Sequence, residues 1–178
     1  MLTDDELTNA INTFAASLSN QQLGLAYHHP EEWAQHTKCF ENSRQKLQIS
    51  GGRVQFGWIF GHRLTPHITN SLGYLMATHH AVWHSPNGSL IDVTPLHPDS
   101  KHHPIAQNGS VLFQVDDNAE PVAIKNYFAP LPSHFFPLSQ NPPLVSYVNG
   151  LNEKEDKECK ALYESLRSSS YGSASQPN

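Results

Sequence analysis

Leu7, Ile11, Phe14 and Leu18 recur at helical spacing, which predicts an amphipathic helix over residues 4–18. Thr3 can cap its first turn, and Asp4, Asp5 and Glu6 follow against the positive end of the helix dipole. Pro30, Glu31 and Glu32 repeat that start signal and predict a second helical stretch running towards Trp33. Thr37 is the expected cap of a further helix that opens at or just before Cys39 and lasts to about Gln48, ahead of the break at Gly51 and Gly52.

Beyond the glycine pair the period drops to two. Val54, Phe56, Trp58 and Phe60 fall on one face and Arg53, Gln55 and Gly57 on the other, the pattern of a half-buried strand. Extended runs follow at residues 73–84, 89–94 and 111–115. Ser85-Pro86-Asn87-Gly88 between the first two predicts a tight hairpin. Prolines from Pro130 to Pro143 are too dense for a regular element, so that segment is expected to wrap the surface, anchored by Phe135 and Phe136. Residues 152–167 predict a charged helix with Cys159, Leu162 and Leu166 on one stripe, and residues 168–178 a disordered tail. Helices followed by an antiparallel sheet make the expected fold class α+β, with the N-terminal helices packed on the sheet in a single domain over residues 1–167.

Composition narrows this picture to one loop-rich globular core: of 178 residues 38% are hydrophobic and 15% charged, with 13 prolines and 10 glycines. A net charge of −5, with the 11 Lys and Arg scattered, supplies no basic field for phosphates, so no nucleic-acid partner is expected. The opening MLTDDELTNA carries acids where an export signal is basic, and no apolar run reaches membrane-spanning length; neither export nor a membrane partner is expected. Cys39 and Cys159 are too few and too far apart for a disulfide framework, which points to the reducing cytoplasm. A translocated effector would carry the same signature.

Turn chemistry decides which side chains share a face. If Pro86, Asn87 and Gly88 form a three-residue loop with a glycine bulge, Ser85 pairs with Ser89, and His80 and Asp92 become diagonal neighbours on one face, about 7 Å apart at the backbone. Ala81, Trp83, Ile91 and Val93, with His79, point the other way, towards a core. His84 is a rival partner for Asp92 on the same face, nearer the turn. A cysteine at a helix N-terminus gains thiolate character from the unpaired amides and the dipole. Cys39 fits that position, and a nucleophilic thiol needs an imidazole to take its proton and a carboxylate to hold the imidazole's tautomer. Cys39, His80 and Asp92 supply the three roles.

Helical Cys39, then His80-Ala81-Val82-Trp83, then Asp92-Val93-Thr94-Pro95 resembles the core of the transglutaminase-like proteins, a circularly permuted branch of the papain-like fold, over roughly residues 33–95. The resemblance implies Cys39 as nucleophile, His80 as base and Asp92 as its orienter, acting on an amide or ester through a thioester. A peptide or a small amide or ester is the implied substrate, with hydrolysis or acyl transfer as the outcome and no cofactor. The Cys39 amide and Gln35 are the candidate oxyanion donors, and Trp83 and His84 the candidate substrate contacts. Two other readings stand beside it. Twelve histidines, paired at His28-His29, His79-His80 and His102-His103, raise a metal-dependent hydrolase. Neighbours on a strand face opposite ways and His80 and His84 lie about 13 Å apart, so such an ion would have to recruit Cys39, His80 and Asp92 themselves. The third reading is a non-catalytic module on the same fold that binds a peptide in a groove formed by Trp58, Trp83 and the proline-rich stretch.

Overall fold

Capping decides the first element. Thr3 is extended (φ −74°, ψ 161°), its hydroxyl accepts from the Glu6 N–H, and the Glu6 carboxylate accepts from the Thr3 N–H at 2.8 Å, so helix α1 runs Asp4–Leu18. The computed structural model of the chain describes residues 3–96 and 106–168. The expected tail therefore lies outside the described residues beyond Ser168.

After α1 comes strand β1, Leu23–His28, where the periodicity predicted no element. The helix expected at Pro30 is absent, and residues 30–34 are irregular with one turn at Glu32 and Trp33. The His29 and Glu31 N–H groups donate to the Asp92 and Val93 carbonyls, holding this stretch against the neighbouring chain. Helix α2 spans Cys39–Ser50. Thr37 has φ 64° and cannot cap it; Lys38 takes the cap position without a side-chain bond, and Cys39 is the first helical residue.

Strands β2 (Arg53–Arg63) and β3 (Tyr74–His84) pair along their whole length. The next two strands are β4 (Leu90–Asp92) and β5 (Ala106–Gln107), followed by β6 (Ser110–Val115). A small hairpin of β7 (Val122–Ile124) and β8 (Tyr127–Ala129) precedes β9 (His134–Pro137) and helix α3 (Pro142–Ser168). The proline-rich segment is thus not featureless: β9 pairs with Tyr74–Ala77 of β3, and α3 opens ten residues earlier than predicted, with its prolines in the first turn, where their missing N–H costs nothing. On α3 Leu144, Val148 and Cys159 are buried while Leu162 is 37% exposed, so the inward stripe differs from the expected one.

The main sheet runs β1-β4-β3-β2-β6-β5, and an added β1–β6 pairing closes five of its strands into a barrel. β1 is parallel to β4 and the other pairings are antiparallel, so the fold is α+β with a mixed sheet, not the purely antiparallel one expected. Ala26, Val82, Val111 and Phe113 fill the barrel. Outside it, Ile11, Phe14 and Ala15 of α1 pack on Trp58, Phe60, Leu75 and Ala77, while Phe40 of α2 packs with Ala81, Val54 and Phe56. β2 consequently has cover on both sides: Gln55, expected on a wet face, is 3% exposed and donates to Asp117 at 2.9 Å. The hairpin after β3 has the register of a glycine bulge. Gly88 adopts φ 91°, Ser85 pairs with Ser89, and Trp83 and His84 face Ile91 and Leu90.

Candidate active site

Helix α2 begins at Cys39, which places the thiol beside the unpaired amides of a first turn. Helix and strand meet here because Ser43, one turn on, donates to the Ala81 carbonyl of β3 at 3.1 Å, and Phe40 packs on the same strand. His80 is the adjacent residue, on the opposite face of β3. Its imidazole lines the same cleft as Cys39, and its Nε2 stands 3.1 Å from Asp92 Oδ1. With Nε2 turned to the carboxylate, Nδ1 is left for the thiol.

Asp92 ends β4 and is 1% exposed. Its Oδ1 also accepts from the Thr94 N–H at 3.0 Å, and its Oδ2 lies 3.4 Å from Nδ1 of His28. His28 ends β1 and is in direct parallel register with Asp92, so the strand that periodicity missed brings a second histidine to the same carboxylate. His80 Nε2 and His28 Nδ1 are both buried and stand at ion-pair distance from Asp92 without hydrogen-bond alignment to it. Asn42 ties the surrounding loops together: its amide donates to the Gln35 carbonyl at 2.8 Å and to Thr94 Oγ1 at 3.2 Å.

These contacts set the charges. Burial pushes the His80 imidazole down, but the Asp92 carboxylate, then the charge on the Cys39 sulfur, outweigh it and hold His80 well above the usual histidine range. Burial likewise pushes Asp92 up; the His80 charge and hydrogen bonds from His28, His80 and the Thr94 N–H reverse this and hold the carboxyl below its usual range. His80 and Asp92 favour each other's ionised forms.

His79 behaves differently. The Leu131 N–H donates to its Nδ1 at 2.8 Å and its Nε2 faces the Ala119 carbonyl at 2.7 Å, so the neutral tautomer is satisfied at both nitrogens, and burial pushes its pKa down to about 4. Desolvation lowers His134 too, where its ring packs edge-on against Trp58. A group whose folded pKa is depressed adds stability above its unfolded value of 6.5 and loses it as the pH falls towards 4. Urea unfolding is therefore expected to show a loss of up to about 3 kcal/mol between about pH 7 and pH 4 from His79 alone, flattened in His79→Gln. His80, being raised, has the opposite sign and loses its contribution as the pH rises through its own value.

The other predicted site residues stand elsewhere. Trp83 is 8% exposed, donates to the Gly51 carbonyl at 2.8 Å and carries Lys46 over its ring, so it packs behind α2. His84 accepts from Arg53 at 2.6 Å and leaves Asp92 to His80 and His28. Gln35 is exposed, its backbone is clipped by Asn42 of α2, and it is not among the residues that line the cleft. Among the described residues no group of three His, Cys, Asp or Glu side chains could hold a metal ion, and His102 and His103 lie outside them. Nor is any described helix long and apolar enough to cross a membrane.

Cys39, His80 and Asp92 all line one cleft of about 500 Å³. Thr37 to Glu41 form one side, Ile59 to Gly61 and Met76 to His80 another, and Tyr127, Phe128 and Pro130 of the small hairpin region a third. Arg44 stacks on the Phe128 ring and Lys38 sits over Tyr127, which anchors that hairpin to α2. A Leu substitution at His28 would leave Asp92 Oδ2 unpartnered. His28→Leu is expected to slow Cys39 alkylation at about pH 6 by about tenfold, with His28→Gln, which retains a donor, recovering most of the rate. No family model matches the chain, and no curated protein or solved structure matches it.

Proposed function

We propose that the chain is a transglutaminase-like thiol enzyme on a papain-like core, a hydrolase or acyltransferase that cleaves an amide or ester through a thioester on Cys39. The observation that carries the proposal is the gathering of thiol, imidazole and buried carboxylate in one cleft: Cys39 opens α2 on its wall, and His80 Nε2 stands 3.1 Å from Asp92. The elements that supply them, a helix N-terminus and two neighbouring strands in that order, support the same assignment.

His80 takes the thiol proton, and the thiolate adds to the carbonyl carbon. The first-turn amides of Cys39 and Phe40, which have no helical acceptor, face the developing oxyanion. Collapse breaks the carbon–oxygen or carbon–nitrogen bond, and His80 passes its proton to the departing alcohol or amine. Water, or an amine in the transfer reaction, then gives a proton to His80 and displaces the sulfur. The proton returns to the thiol, and a carboxylic acid or a new amide is released. Asp92 holds the Nε2–H tautomer throughout and stabilises the imidazolium.

The test is alkylation of Cys39 by iodoacetamide across pH, on a Cys159→Ser background that silences the second thiol. At about pH 6 the wild type is expected to react at least about tenfold faster than His80→Ala, because a protonated His80 beside the sulfur favours the thiolate. A slow reaction that the His80 substitution leaves unchanged sinks the nucleophile and leaves the peptide-binding module.

A further inference from the structure

The cleft continues past the chemistry. His80, Thr78 and Met76 alternate onto one face of β3, and their partners across the ladder on β2 are Gly57, Ile59 and Gly61. From His80 to Met76 this strip runs for four residues of strand, about 13 Å. Thr78, Ile59, Gly61 and Met76 all line the cleft, and the Tyr127 and Phe128 rings close over it from the small hairpin. At its far end Met76 faces Gly61 on β2, which adds no side chain to the cleft, and Phe135 on β9. Apart from the triad, the ionic residues among its described lining are Lys38 and Glu41, which pair with each other at 3.8 Å, and His79, whose nitrogens are both engaged.

Resting on the thiol-enzyme assignment, we infer that the strip from His80 to Met76 is an acyl-binding channel, and that the group transferred to Cys39 is an uncharged, apolar acyl chain of medium length. A carboxylate or ammonium placed between Ile59 and Met76 would lose its hydration with no counter-charge there among the described residues, whereas each methylene laid on Ile59 and Met76 leaves water for apolar contact. The volume of about 500 Å³ falls in the range of small-molecule sites, which fits an acyl chain together with part of its leaving group. The chemistry is the exchange already described, with the apolar carboxylic acid as the hydrolysis product.

The experiment measures the nitrophenolate burst with 4-nitrophenyl acetate, butyrate, octanoate and monosuccinate, on the full chain, together with Cys39 alkylation in the same preparations. Octanoate is expected to acylate the wild type at least about tenfold faster than acetate, after correction for intrinsic ester reactivity, with succinate slowest. Met76→Glu is expected to pull the octanoate-to-acetate ratio back towards one. The wild-type chain-length series stands without that variant should it fail to fold. An octanoate-to-acetate ratio at or below one, or a preference for succinate, overturns the acyl channel while the burst itself upholds the nucleophile. If no ester gives a burst the channel also falls, and alkylation then separates the cases: a rate that depends on His80 keeps the thiol enzyme, and one that does not removes both.

Discussion

Asp92→Asn is expected to lower the rate of Cys39 acylation by about 10³-fold and to abolish the His80 dependence of alkylation at about pH 6. The asparagine keeps the volume but removes the largest of the interactions that together outweigh burial at His80. Its amide can also turn a donor towards Nε2, which favours the tautomer with the proton on the wrong nitrogen. Three groups converge on this carboxylate, the imidazoles of His80 and His28 and the Thr94 N–H, so the change also costs stability, about 3–5 kcal/mol for breaking a buried charge pair. The two losses are separable. Thermal unfolding reports the second, and the burst per folded molecule with 4-nitrophenyl octanoate reports the first. The double variant with His80→Ala is expected to lose little more than either single one, because both remove the same coupled unit. A folded Asp92→Asn protein with the wild-type alkylation profile would remove Asp92 from the mechanism.

The pair that matters most here was readable from the chain because it depends on a local turn. Ser85-Pro86-Asn87-Gly88 dictates a three-residue loop, the loop dictates the register, and the register puts His80 and Asp92 on one face. The helix around Cys39 was readable in part: the glycine break marks its end, but Thr37, the expected cap, has φ 64° and Lys38 takes its place. What failed in each case involves partners far apart in sequence. β1 is Leu-Gly-Leu-Ala-Tyr-His, with Ala26 fully buried in the barrel while Leu25 is 51% and Tyr27 62% exposed. Its large residues face out and its small ones face in, the reverse of the alternation that identifies a strand. His28 was lost with β1, because only the parallel pairing of β1 with β4 brings it to Asp92.

The missing helix at Pro30 has the same kind of origin. Pro-Glu-Glu is a sound local start signal, yet Glu31 pairs with Lys46 of α2 and gives its N–H to Val93, so tertiary partners claim the groups a helix would need. Trp83 and His84 were assigned to substrate by their position in the hairpin, and the β2–β3 ladder reassigns them: Trp83 faces Val54 under α2, and His84 faces Arg53 at the far end from the thiol. Closure of the sheet into a barrel explains the remaining error, the half-buried β2. A strand with helices on one side and a barrel interior on the other has no wet face, and the polar Gln55 survives inside by bonding to Asp117 and to the Phe56 carbonyl.

Gly57→Ala is expected to be strongly destabilising for the addition of a single methyl. Gly57 faces His80 across the β2–β3 ladder and Val115 across β2–β6, in the wall of the barrel. A Cβ built there falls 1.9 Å from the Gln114 carbonyl oxygen and 2.8 Å from the Phe113 ring. The carbonyl is backbone and cannot swing aside, so β6 has to move. Gln114 is braced from behind, its amide donating to the Ala15 and Ser19 carbonyls at 3.0 Å each, and a shift of β6 therefore drags on the end of α1 as well. The expected cost exceeds about 3 kcal/mol, which for a chain of this size lowers the melting temperature by roughly 10 °C or prevents folding. Gly24→Ala is the matched control: it lies in β1 of the same barrel, nothing stands within 4 Å of its added Cβ, and its effect is expected to stay within about 0.5 kcal/mol. Because the methyl pushes on the strand that backs His80, the folded fraction of Gly57→Ala is also expected to alkylate more slowly at about pH 6 than Gly24→Ala. Equal stability of the two alanine variants would mean that β2 and β6 do not meet at Gly57 as described, and the barrel wall beneath the imidazole would have to be redrawn.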